Sequence, residues 1–136
     1  MSDIHFDITP TTIQHQEDHL RIDFSTGKIT ATLAGFIFLD KDANVFVAYL
    51  PSLEVSGYGS TVNDAQEMFK FSIKDFFDYL TQISIEEVQR ELRKLGWKKN
   101  SHFNKRFSKD QVNIRDLLKD YNIEESTLQR ITLSAA

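Results

Sequence analysis

The stretch Val45–Leu80, VFVAYLPSLEVSGYGSTVNDAQEMFKFSIKDFFDYL, decides the fold. Val45, Val47 and Tyr49 alternate with Phe46, Ala48 and Leu50, so both faces of residues 45–50 are apolar. That pattern predicts a strand covered on both sides. Pro51 ends it, because proline has no N–H for the next ladder position. Gly57 and Gly59 permit a sharp connector. Thr61 stands where a helix N-cap belongs, with Asp64 three residues on, an acidic variant of the capping box. The spacing predicts a helix over 62–80 whose inward stripe is Val62, Ala65, Phe69, Ile73, Phe76 and Leu80. Met68, Phe71 and Tyr79 are apolar on its far side. A helix with one buried face does not need them, so a second cover is expected, from the C-terminal third or from another chain.

Upstream, residues 19–25 and 28–39 read as a hairpin turned by Ser25-Thr26-Gly27-Lys28, and Gly35 marks a bulge or bend in the second strand. With 45–50, and a short fourth piece at 55–58, these strands form an antiparallel meander. Ile4, Phe6 and Ile8 alternate with polar residues before Pro10, as in a short strand or arm. Downstream, Ser84 caps a second helix over 85–95 with Ile85, Val88, Leu92 and Leu95 inward, and Gly96 is its C′ residue. Trp97 is then expected to cover Met68, Phe71 and Tyr79. Residues 112–121 suggest a third short helix. Residues 117–131 resemble a helix-turn-helix turning at Asn122-Ile123, while the alternation of 128–134 equally suits a terminal strand.

Composition narrows the class. With 136 residues, 40% of them hydrophobic and 11 Phe, the chain is long enough for one compact domain with a real core. No segment approaches the length of a membrane span, and the polar, acidic start is not a signal peptide. The absence of Cys excludes a disulfide scaffold and thiol catalysis, and fits a reducing cytoplasm. Charge is segregated. Residues 1–89 carry 5 Lys/Arg against 14 Asp/Glu, whereas 90–109 carry 8 against 1. The basic block supplies a candidate patch of Arg90, Arg93, Lys94, Lys98, Lys99, Lys105 and Arg106. Such a block complements an acidic surface, of this chain or a partner, or contacts phosphates. Phe103 and Phe107 within it read as packing anchors, which favours the first use.

Chemistry is sparse. His15 and His19 have helical ligand spacing but precede a strand-like alternation, where they do not converge on one ion. Asp40, Asp42, Glu54, Asp75 and Asp78 are scattered over a turn, a connector and a helix, and no carboxylate interrupts the strand 45–50. No metal, cofactor or catalytic residue is expected.

The order of Tyr49, Pro51, Leu53, Gly59, Thr61 and Ala65, a strand followed by P-x-L, a Gly-containing connector, G-x-T-x-x-x-A and a long helix, resembles the HicB antitoxin family over residues 30–80. The family often has Pro-Gly-Cys after the Leu and Asp before the Thr, where this chain has Glu54-Val55-Ser56 and Ser60. The resemblance implies an α+β, degenerate RNase H-like unit at 1–82, an antiparallel meander packed by one long helix. A small C-terminal helical or strand segment at 83–136 packs on it. Ser101-His102 after Gly96-Trp97 resembles a segment of the toxin partner HicA, but lacks its Gly and is not expected to be catalytic. The implied function is non-enzymatic: binding and occluding a small HicA-like RNA-cleaving toxin. The surplus apolar helix surface also predicts a homodimer or higher homo-oligomer. The alternatives are a DNA-binding regulator using the basic segment or the helix-turn-helix-like tail, and an orphan oligomeric module.

Overall fold

The computed structural model describes residues 6–10, 17–100, 106–110, 116, 119 and 121–135. Among the described residues the elements are β1 (Phe6–Pro10), β2 (Glu17–Asp23), β3 (Lys28–Asp40), β4 (Val45–Leu50), β5 (Val55–Gly59), α1 (Val62–Gln82), α2 (Ile85–Lys94), β6 (Lys98–Lys99), β7 (Arg106–Asp110) and β8 (Ile123–Ala135). All eight strands belong to one antiparallel sheet, with the two helices beside it, an α+β architecture.

The sheet is built around β3. One of its edges is filled by β8, which pairs with it from Ala31 to Asp40. The other edge is shared: β2 pairs with residues 28–32 and β4 with residues 36–40. This corrects the expected meander, in which β2 and β4 flank β3 on opposite sides. The third edge partner comes from the far end of the chain, because Ile131, Leu133 and Ala135 alternate inward with polar residues and give β8 one buried face. Where β2 and β4 diverge, the Ala34 N–H has no ladder partner and instead donates to the Asp18 carboxylate at 3.0 Å. Asp18 is only 2% exposed there. The sheet then continues from β2 to β7 and β6, from β4 to β5, and from β8 to β1. A boundary at residues 82/83 falls between the helices, and β7 and β8 beyond it are hydrogen-bonded into the same sheet.

Strand alternation gives the sheet two different faces. The front carries Leu20, Ile22, Ile29, Leu33, Ala48 and Leu50, and the helices close over it. Helix α1 contributes Ala65, Phe69, Ile73, Phe77 and Leu80, and α2 contributes Val88 and Leu92. Phe77, not the expected Phe76, is fully buried, and Val62 is exposed. The extra width of the sheet explains the difference: Phe6 of β1 reaches under the helix, its ring 6.0 Å from that of Phe77. Both helices start as their sequences dictate, with Thr61 Oγ1 accepting from the Asp64 N–H and Ser84 Oγ from the Glu87 N–H. Helix α2 ends in a Schellman motif. Gly96, at φ +95°, donates to the Arg93 carbonyl and Trp97 to the Leu92 carbonyl.

The back face is divided. Its half along β4 and the C-terminal end of β3 is apolar, with Phe36, Phe38 and Val47 packed on Ile123. Tyr121 lies over this patch, 5.1 Å from the Phe38 ring and 5.6 Å from the Tyr49 ring. The cover comes from an irregularity in β8. Gln129 pairs with Ile37 but the next pair is Glu124 with Leu39, so residues 125–128 stand opposite Phe38 alone. Thr127 Oγ1 accepts from the Leu39 N–H at 2.9 Å in place of a backbone carbonyl. The expected bend at Gly35 is therefore displaced to 37–39. Residues 123–131 are strand, which overturns the helix-turn-helix reading. Apart from residues 116, 119 and 121, the expected helix at 112–121 lies outside the described residues.

Candidate functional site

The six residues that carry the family resemblance serve the fold. A Cβ on Gly57 would lie 2.3 Å from the Phe69 nitrogen, and one on Gly59 2.8 Å from the Ala65 nitrogen. Only glycine lets α1 approach β5 so closely. Ala65, itself fully buried, is the small residue on the helix side of that contact. Gly59, Thr61 and Ala65 thus form one unit: close approach, cap and contact. Pro51 and Leu53 are buried in the turn from β4 to β5, and Glu54 completes it at φ +54°. Tyr49 is separate from the other five, half-buried on the back face against Tyr121.

Trp97 is buried, but not where it was expected. Its Nε1 donates to the Ser52 carbonyl at 2.8 Å, so it pins the β4–β5 turn from the front. The buried Ser52 Oγ has no hydrogen-bond partner among the described residues. Met68, Phe71 and Tyr79 stay exposed, Phe71 by 73%. The reason lies in the α2 ending: Gly96 turns the chain so that Trp97 enters the core beside Leu92, away from the outer side of α1. The N-terminal end of this stripe, Met68, borders β5, which among the described residues pairs with β4 alone. Met68 Sδ accepts from the Tyr58 N–H at 3.5 Å, and Tyr58 is itself 58% exposed. The strand and the apolar helix stripe therefore meet at Met68 and Tyr58.

The basic block does not stay together. Arg90, Arg93 and Lys94 lie on α2, and Lys94 pairs with Glu91 at 3.5 Å on the surface. Alternation sends Lys98 and Lys99 to opposite faces. Lys99 joins Arg93 beside Trp97 and Phe107 on the front. Lys98, opposite Ser108, and Arg106 belong to the back. Lys105, like Phe103 and His102, lies outside the described residues. Phe107 is buried as an anchor. Lys109 Nζ donates to the Leu95 carbonyl and so caps the end of α2.

What replaces the block is a polar surface not apparent in the sequence. The pairing of β2 with β7 brings Arg21 opposite Arg106 and His19 opposite Ser108. His19, considered above for a metal, instead lies in a row of hydroxyl-bearing neighbours. Among the described residues no three His, Asp or Glu side chains come together to hold a metal ion, and no helix is long and apolar enough to cross a membrane. No family model matches the chain, and no curated protein or solved structure was found to be similar to it.

Proposed function

We infer that this chain is a cytoplasmic, non-enzymatic binding protein of the HicB-like, degenerate RNase H-like kind, and that it neutralises a small RNA-cleaving toxin by covering the toxin's active face. One observation carries the reading: Met68, Phe71 and Tyr79 form an exposed apolar stripe on α1, and Met68 touches β5, which among the described residues pairs with β4 alone. Apolar side chains beside a strand edge on which no described strand pairs suit β-augmentation, where main-chain pairing gives affinity and flanking side chains give specificity. Occlusion asks nothing more of the protein than such a surface. The family-like order of residues 49–65 supports the reading from the sequence side: Gly59 of that motif, together with Gly57, seats α1 against β5.

Co-purification from the native host, followed by mass spectrometry, tests it. The expected result is a small basic ribonuclease held in stoichiometric complex and released by Phe71→Asp. Recovery of the protein with copies of itself only, through the same surface, would instead establish the orphan oligomer. A DNA-binding regulator reading has lost its helix-turn-helix, because residues 123–135 are a strand.

A further inference from the structure

The outer side of α1 is acidic as well as apolar. Phe71 stands at its centre, 73% exposed. The helical period places Asp64, Glu67, Asp75 and Asp78 within about 40° of Phe71 round the helix axis. Glu67 lies one turn before it and Asp75 one turn after, and both are exposed. Asp64 is exposed too, and Asp78 is half-buried. The basic residues of α1 stand off to one side, the exposed Lys74 at about 60° from Phe71 and the half-buried Lys70 at about 100°. Met68 and Tyr79 lie on the opposite flank, so the aromatic centre is framed by carboxylates along the axis and by apolar groups on one side.

This frame discriminates between occupants. Exposed aromatic and Met side chains suit the core of a protein interface, and the charges around them decide which partner fits. A second copy fits badly. Antiparallel packing of two α1 helices about Phe71 sets Glu67 opposite Asp75 of the second copy and Asp64 opposite its Asp78, and parallel packing sets each carboxylate against its own equivalent. Like charges juxtaposed across an interface suppress that pairing. The phosphates of a nucleic acid meet the same repulsion.

We propose that this face docks a basic protein surface. An apolar side chain of the partner sits on Met68, Phe71 and Tyr79, its Lys or Arg side chains lie against Glu67, Asp75 and Asp78, and the same carboxylates turn away a second copy of this chain. This rests on the reading of the α1 face as the binding surface and adds the chemistry that selects the partner.

NMR signals of the Met68 methyl and the Phe71 ring in the full chain are to be followed with two synthetic peptides, one alternating Lys with Val and one alternating Glu with Val. The Lys–Val peptide is expected to shift both signals and to bind more weakly as salt rises. The Glu–Val peptide is expected to shift neither. Glu67→Gln combined with Asp75→Asn is expected to weaken the Lys–Val peptide about tenfold, with the unfolding midpoint in place because both side chains are exposed. Dilution of the chain alone is expected to leave both signals where they are. Equal shifts with the two peptides, no shift with either at about 1 mM, or full affinity in the double variant overturns the proposal. Signals that move on dilution of the chain alone overturn it as well, and give the face to a second copy. A host protein released by Phe71→Asp but retained regardless of salt and of the double variant leaves occlusion standing and removes only the charge selection. The Lys–Val peptide bound as expected, while Phe71→Asp releases no host protein, does the reverse.

Discussion

Trp97 and Ser52, 45 residues apart, are joined by a buried 2.8 Å hydrogen bond from the indole N–H to the main-chain carbonyl. The bond ties the end of α2 to the turn between β4 and β5. Trp97→Ala removes that donor and leaves a cavity among Leu92, Phe107 and the turn, at an expected cost of about 3–5 kcal/mol. Trp97→Phe keeps most of the ring and strands the carbonyl, at about 1–3 kcal/mol. Urea unfolding of both variants checks this, and equal midpoints for the two would remove the hydrogen bond from the account.

The sequence made this bond half legible. Ser84, Gly96 and the apolar spacing marked α2 and placed an aromatic residue just after it. They did not show where the aromatic went, because a Schellman turn redirects the chain through dihedrals that the helical period does not carry. Helix α1, β4 and the β2–β3 hairpin were legible for a related reason: cap, turn and periodicity are local. What failed was long-range. Residues 117–131 looked like two helices turning at Asn122-Ile123, yet residues 125–128 are the excess chain of a bulge opposite Phe38. The basic block looked like one patch, yet strand alternation divides it between faces. The meeting of Arg21 with Arg106 depends on a register between strands 85 positions apart, which no local pattern encodes.

Gly57→Ala is expected to be among the most damaging small substitutions in the protein. The added methyl would lie 2.3 Å from the Phe69 nitrogen and 2.6 Å from its Cα, and backbone on a packed helix cannot step aside cheaply. Overpacking of this kind costs about 1–3 kcal/mol or more. Gly27→Ala, where the nearest atoms are at 3.9 Å, isolates the positive-φ strain alone and costs about 1 kcal/mol. Calorimetry on the pair gives the comparison, and a Gly57→Ala protein as stable as Gly27→Ala would mean that α1 does not sit so close to β5.

Asp18 closes the gap between β2 and β4, where its carboxylate accepts from the Ala34 N–H. Asp18→Ala leaves that part-buried N–H without this acceptor and is expected to cost about 1–3 kcal/mol. Asp18→Asn retains a carbonyl oxygen and is expected to recover part of the loss. Hydrogen exchange at Ala34 gives the local readout: its protection falls in the alanine variant before that of the flanking β3 amides. Unchanged protection would show that Asp18 is not the group that holds this amide.

The outer stripe of α1 offers the separation of stability from binding. Phe71 is 73% exposed and Tyr79 46%, so neither contributes much to the folded core. Phe71→Asp and Tyr79→Asp are each expected to change stability by no more than about 0.5 kcal/mol, the range of surface substitutions. The same changes place a charge in the exposed apolar stripe of α1, and interface cores exclude charge. Partner capture, or self-association where the partner is a second copy, is therefore expected to fall while the unfolding midpoint stays in place. Sedimentation velocity at high protein concentration and pull-down with each variant measure the first, and urea titration the second. A monomer at every concentration that also captures nothing would leave the stripe without a role. A large loss of stability in Phe71→Asp would show that the residue is core after all, and both outcomes would count against occlusion through this face.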